Sequence, residues 1–354
     1  GVAAAPIKDW DKYQEELHAR TGSDKKLVRL IISQAKSTLQ RVVFAEGDEL
    51  DVLKAAQLVH EEGIAIPILL GDEEHIREMM ATIEFEGDVT IIDPKKESVK
   101  ESRDAYAYAY WKLRQRKGIT LYDSQRRMRE RNYFAAMMVR EGDADAMISG
   151  YSRSYPNVLK PVLQVIDTQE GVNRVATTNL MITNRGPLFI SDTSININPD
   201  AKDLAKIAQM TSYTATLFGI NPKVAMLSYS NFGSSKNEDA QKVSKAVNMI
   251  HRFLPGIAVD GPIQADFALN KSMLTNKFPF SKIAGAAVNT LVLPDLNAAN
   301  IAYKLIKELD DALSIGPIMM GLKHPVHILQ LGASVDEIVH MTAVAAVDAQ
   351  NKKK

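Results

Sequence analysis

From about residue 41 onward, short unbroken apolar runs alternate with longer stretches whose apolar positions recur every three or four residues. The first rhythm belongs to a strand buried on both faces, the second to a helix that covers it. RVVFAEG at 41–47 therefore predicts a strand, LDVLKAAQLVHEEG at 50–63 a helix ended by Gly63, and IAIPILLG at 64–71 a second strand, a complete βαβ unit. Further strands are expected at VTIID (89–93), DAMISG (145–150), NLMIT (179–183), LFISD (188–192), VAMLSYS (224–230) and TLVLPD (290–295), mostly with helical segments between them. NRGPLF at 184–189 puts a Gly-Pro turn between two extended runs, so one hairpin should interrupt the alternation. Residues 8–40 read as a helical arm ahead of the first strand. The pattern predicts an α/β protein with a parallel or mixed sheet between helices.

At 354 residues, 45% of them apolar, the chain is about twice as long as an ordinary single domain and can fill substantial cores. No single linker and no internal repeat stands out, so the expected domain boundary is soft. Lys plus Arg equal Asp plus Glu at 43 each, which points to no nucleic acid and no polybasic membrane contact; any anion site must be local. With no Cys, disulfides and thiolate metal sites are excluded, and no apolar run approaches the ~18 residues of a membrane span. A cytoplasmic location is the default. The opening GVAAAPIKDW lacks an initiator Met, fits neither a signal peptide nor a transit sequence, and reads as a cut from something longer.

Three segments carry candidate chemistry, each with a plainer reading beside it. SYSNFGSSKNEDAQKV (228–243) passes from a strand through a small-residue loop into a helix, where backbone amides, Ser234, Ser235 and Lys236 could hold an anion. Alternatively, Gly233 shapes a turn and a Ser or Asn caps the helix. It is not a Walker loop. SGYSRSYPNVLKPVLQ (149–164) places Arg153 on another strand-to-helix corner, either as a phosphate partner or as an ordinary exposed cation. DGPIQADFA (260–268) and LPDLNAANIAYK (293–304) gather Asp260, Gln264, Asp266, Asp295, Asn297 and Asn300 at strand ends, where α/β sheets bind ligands and where caps and turns also use these residues. His324 and His327 stand three apart with no third metal ligand nearby in sequence, and no Ser-His-Asp arrangement or G-x-G-x-x-G can be read.

The segment GPIMMGLKHPVHILQLGASVDEI at 316–338 resembles the active-site strand and loop of phosphotransacetylases, there GPI-x-x-GL-x-x-PVNDLSRGC followed shortly by ED. Gln330 and Leu331 stand where that family has Ser and Arg, and Glu337 where it has Asp. The loop at 230–236 resembles the family's S-T-K-G-S-A-K with Phe232 for a Lys, the corner at 149–161 its SG-A-A-H-S-x-x-D-T-x-R-P with Lys160 for the Arg, and LRQRKG its LRKHKG with Arg114 kept. Both strand-end segments match closely. The resemblance implies two isocitrate-dehydrogenase-like α/β domains with mixed or parallel sheets and an interdomain cleft, the first from residues 25–165 plus 317–354 and the second from 166–316. It also implies ligand contacts at Arg114, Arg153, Lys160, Ser234, Ser235, Lys236, Asn297 and Asn300.

Acetyl transfer between phosphate and coenzyme A needs a base for the thiol, a donor near the sulfur and cations for the phosphate. The family assigns these to the Asp, Ser and Arg replaced here, so Gln330, Leu331 and Glu337 imply a degenerate catalytic set. Ser334 to Glu337 also reads as a capping box. PVHILQLGASVDEIVHMTAVAAVDAQ, with the opening GVAAAPIKDWDKYQEEL, resembles the C-terminal part of large bacterial NADP-dependent malic enzymes more than free-standing transacetylases. This implies a linker at 1–24 after a malic-enzyme domain of the same polypeptide, NADP and divalent metal bound only in that absent part, no cofactor in this chain, and acetyl-CoA or CoA as effector. It further implies a homo-oligomer, at least a dimer, assembled through the middle stretch, with helices near 200–218 and 298–312 as candidates. A working phosphate acetyltransferase and a purely structural dimerisation domain are the alternatives.

Overall fold

In this computed structural model the described residues are 24–310 and 312–352. The expected linker and the start of the helical arm lie outside them, save Asp24, where α1 (Asp24–Ser37) begins. β1 (Arg41–Phe44), β2 (Ile66–Leu70), β3 (Thr90–Ile92), β4 (Ala146–Ser149) and β11 (Val326–Ile328) form a parallel sheet in the order β11-β4-β1-β2-β3. One face packs on α1, α2 (Leu50–Glu61), α3 (Glu73–Thr82) and α13 (Val335–Lys352). The other packs on α4 (Lys100–Arg114), α6 (Arg131–Glu141) and α7 (Tyr155–Val165), with α5 (Leu121–Arg127) beside α4. Val42 and Phe44 enter the first core while Val43 and Ala45 enter the second, which is why the strand reads as an unbroken apolar run rather than an alternation.

A second, mixed sheet has the order β10-β5-β6-β9-β7-β8. Its antiparallel part is β10 (Leu313–Met320), β5 (Ala176–Thr183) and β6 (Gly186–Ser191), with the β5–β6 hairpin at the expected Gly-Pro turn. β9 (Thr290–Val292), β7 (Val224–Leu227) and β8 (Val259–Ile263) continue it in parallel. α8 (Ala201–Leu217) and α9 (Glu238–Phe253) cover one face; α10 (Ala265–Leu269), α11 (Lys271–Lys277) and α12 (Leu296–Leu309) lie at the other. β8 and β10 escaped the periodicity because each contains a Gly-Pro pair. Both are edge strands, where a missing N–H breaks no ladder. Gly261 must stay small, since a Cβ there would lie 2.5 Å from the Met226 carbonyl oxygen.

The two sheets share a core. The cluster on α1, α2 and α13 runs on into Leu180, Phe189, Phe218, Ile315 and Ile318 around the second sheet. α13 sits at this junction with ten buried residues, four of them Ala, so the helix is small enough to be enclosed from several sides. The break expected at 316–317 falls inside β10, which pairs with β5 from Leu313 to Met320 across one register shift.

Candidate functional site

The segments that follow β4 and β11 in one sheet and β6 and β9 in the other face each other across a cavity of about 560 Å³. Arg153, Tyr155, Ser194, Asn297, Asn300, Tyr303, Lys304, Gln330 and Leu331 line it, with Leu296, Ile301 and Leu329 as apolar wall. Carboxyl ends of parallel strands converge here, as expected for an α/β ligand site.

Buried carboxylates hold these loops. Glu46, just past β1, accepts from the amides of Gly150 (2.6 Å), Tyr151 (2.8 Å) and Ser152 (3.1 Å) and from the Ser152 hydroxyl (2.8 Å). It thereby fixes the turn that presents Arg153. Gly150, at φ +104°, makes that turn possible, since a Cβ would lie 2.8 Å from Ile328 Cγ2. The Gly332 amide donates to the Tyr151 carbonyl (3.1 Å), tying the loop after β11 to the loop after β4. In the second sheet Asp192 accepts from the Thr177 amide and hydroxyl and from the Asn196 amide and side chain, fixing the stretch that carries Ser194. Asn300 Nδ2 donates to the Thr193 carbonyl (3.1 Å) and Asp295 caps α12 at the Ala298 amide (2.9 Å), which sets the helix edge bearing Asn297, Asn300 and Lys304.

Arg153 and Lys304 make the cavity cationic, and among the described lining residues there is no carboxylate and no imidazole. The other titratable groups are two tyrosines. Burial, with help from the Asp192 charge, pushes Tyr155 far up, and its hydroxyl meets Met319 Sδ at 3.0 Å. Burial also raises Tyr303, whose hydroxyl oxygen accepts from Gln330 Nε2. Neither can take a proton from a thiol near neutral pH. The arrangement can bind an anion with an apolar portion, and it lacks an acid–base pair.

Of the residues named from sequence, Arg153, Asn297, Asn300, Gln330 and Leu331 meet in this cavity. Arg114 ends α4 with its Nε buried and without a hydrogen bond, and Lys160 is exposed on α7; neither lines the cavity. Ser234, Ser235 and Lys236 also stand outside it. The Ser234 hydroxyl accepts from the Asn231 amide (3.1 Å), the Ser235 hydroxyl meets Tyr229 (2.9 Å), and Asn237 caps α9, whose first turn already bears Glu238 and Asp239. Asp260 accepts from Gly261, Ser281 and Lys282, and Gln264 pairs with Asn231, so these act within the fold. His327 is buried, with Nδ1 accepting from the Met319 amide at 3.2 Å, and no group of three His, Asp or Glu among the described residues could hold a metal. Sequence reasoning passed over Glu46, Ser194, Tyr303 and Lys304. Glu46 had a signal, an acid directly behind a continuous apolar strand.

Glu337 lies outside the cavity as well. It accepts from the Ser334 amide (2.9 Å), donates its own amide to the Ser334 hydroxyl (3.3 Å), and pairs with Lys307 (2.9 Å), the expected capping box at the start of α13. Burial alone would raise its carboxyl, but Lys307 and the Ser334 amide outweigh it and hold the pKa below the usual range. Asp348 behaves alike, Lys352 and His327 outweighing burial, and burial lowers His324. All three stabilise the fold above their unfolded pKa values and lose that stability as pH falls through the native ones. The urea midpoint is therefore expected to decline in two stages, from about pH 6.5 for His324 and again below about pH 4 for the carboxylates. Glu337→Gln should flatten only the second stage; an unchanged acid limb would contradict its assigned role.

Residues 26–346 match the family model described as phosphate acetyl/butaryl transferase. An NADP-dependent malic enzyme from Haemophilus influenzae is 37% identical over 99% of this chain, which spans only 47% of that protein. A phosphate acetyltransferase from Thermoanaerobacterium thermosaccharolyticum is 39% identical over 92% of this chain and 99% of its own length. Among solved structures, a phosphotransacetylase from Streptococcus pyogenes superposes with a TM-score of 0.86 at 34% identity, covering 93% of this chain and 100% of that one. The EutD phosphotransacetylase from Staphylococcus aureus gives 0.84 at 30% identity, with 93% and 99% covered.

Proposed function

Because the chain belongs to the phosphate acetyl/butaryl transferase family, we propose that its cleft binds acetyl-CoA or a related CoA thioester without transferring the acyl group. In this reading the chain is the C-terminal regulatory and assembly part of a cytoplasmic NADP-dependent malic enzyme, whose malate chemistry, NADP and divalent metal belong to a preceding domain. The two sheets and their helices then correspond to two domains with the ligand between them. The observation that carries the reading is the cavity itself: two cations, three amides and an apolar wall, with Leu331 in place of an arginine and no group to accept the thiol proton. Arg153 and Lys304 suit the phosphates of the nucleotide end, and Leu296, Ile301 and Leu329 suit the pantetheine and acyl portion.

Arg153→Ala and Lys304→Ala are each expected to weaken acetyl-CoA binding about tenfold and to lower its salt dependence. Calorimetric titration at two salt concentrations measures both. Unchanged affinity in both variants would place the ligand elsewhere. A working phosphate acetyltransferase is the second reading, favoured by the equal likeness to such an enzyme along its whole length. Turnover of acetyl phosphate with CoA separates the two.

Assembly through the middle stretch gains support from α12, where Leu305 and Leu309 form a short exposed stripe at four-residue spacing that lines an apolar groove of about 500 Å³. A two-fold dimer that buries this stripe is expected. Light scattering at micromolar concentration should show a dimer, and Leu305→Glu with Leu309→Glu should yield monomers. A monomeric unmodified chain would contradict this.

A further inference from the structure

A second cavity, of about 320 Å³, lies between α8 from Lys206 to its end, the 169–172 segment, the end of β10 and α13. None of its lining residues belongs to the cleft described above. Met210, Phe218, Ile318 and Val344 give it an apolar wall, and Glu170 and the paired Asp348 and Lys352 also line it. At its mouth stands Lys206, which also borders a neighbouring polar cavity of about 190 Å³. That neighbour holds Arg174 and Lys202 against a single carboxylate, Asp203, which Arg174 already pairs at 3.4 Å. Among the described residues Lys206 meets only the neutral Gln209 amide oxygen, at 2.9 Å. The pair of cavities is thus a largely apolar chamber opening past an ammonium that forms no ion pair among the described residues into a cationic one.

We propose that this is a second ligand site, for a small phosphomonoester with a short apolar body. The phosphate sits between Lys206 and Lys202, and the apolar part enters the chamber against Met210 and Phe218. A phosphate suits the site better than a monocarboxylate because the polar chamber offers an excess of two positive charges. The walls come from helices packed on different sheets, so an occupant touches both halves of the molecule.

Hexyl phosphate is the probe, titrated into the full chain by calorimetry, with inorganic phosphate and hexanol as head-only and body-only controls. The expected result is saturable binding at least tenfold tighter than either control. Lys206→Ala should weaken it about tenfold, Lys202→Ala by less, and Arg153→Ala in the cleft not at all. Because Lys206 and Lys202 lie at the surface of α8, their variants should keep the parent's thermal midpoint, which is checked alongside. Hexyl phosphate binding no tighter than inorganic phosphate, or binding that survives Lys206→Ala but falls with Arg153→Ala, overturns the proposal.

Discussion

Glu46→Gln is expected to lower the unfolding free energy by about 2–4 kcal/mol and, together with that, to weaken acetyl-CoA binding about tenfold, as loss of the Arg153 side chain does. The carboxylate gathers three amide donors and a hydroxyl at distances from 2.6 to 3.1 Å, and it is buried. A glutamine has the right shape but must turn its NH2 toward either the Gly150 and Tyr151 amides or the Ser152 amide, so at least one N–H is left facing another donor. The same turn carries Arg153 into the cleft. Loosening it removes a cation from the site without touching that residue, which distinguishes Glu46 from an ordinary core position. Urea denaturation gives the first quantity and calorimetry the second. A variant as stable as the parent with unchanged affinity would show that the loop holds itself.

The unmodified chain should show no phosphate acetyltransferase turnover, and Gln330→Ser with Leu331→Arg should raise it by about 10²-fold or more above that floor. Leu331 is 64% exposed on the cavity wall, so an arginine can enter without displacing the core. Gln330 now spends its amide on Tyr303; a serine frees both the tyrosine hydroxyl and the space around it. Glu337→Asp is a poorer choice than the sequence comparison implies. It shortens the side chain that caps α13 and pairs with Lys307, so its cost falls on stability. An assay following acetyl-CoA formation from acetyl phosphate and CoA decides the matter. Appreciable turnover before mutation would favour the acetyltransferase reading.

Most of the sheet was legible because a strand buried on both faces shows an unbroken apolar run, as in β1, β2, β4 and β7, whereas β5 was read only from Asn179 because Thr177 and Thr178 are buried in its first half. β8 and β10 were not, since a Gly-Pro pair inside a run is ordinarily a turn signal, and in both it is accommodated on an edge strand. The strands expected to reach 47, 230 and 295 stop at Phe44, Leu227 and Val292, and the difference is informative. Beyond those ends the chain leaves the sheet, and Glu46 is buried there by partners distant in sequence, the Gly150, Tyr151 and Ser152 amides. For the site, Arg153, Asn297, Asn300, Gln330 and Leu331 were found because they lie at strand ends within recognisable segments. Tyr303 and Lys304 were passed over because they lie on helix α12 one turn beyond Asn300, at the far end of the segment, and only the fold brings them against the β11 loop in the cavity. The loop at 234–236 shows the opposite case. Its residue types suit an anion, yet its hydroxyls are engaged by Asn231, Tyr229 and Asn237.

Binding without turnover is the central claim, and one sample can test both halves. The chain is titrated calorimetrically with acetyl-CoA, then incubated at saturation with labelled phosphate while label entering acetyl phosphate is counted. The account predicts a saturable heat at one ligand per chain, a stabilisation of ~2.7 kcal/mol at about 100 times the Kd, and no label above a protein-free blank. Label accumulating with time at saturating acetyl-CoA, or no heat and no stabilisation at all, would contradict it.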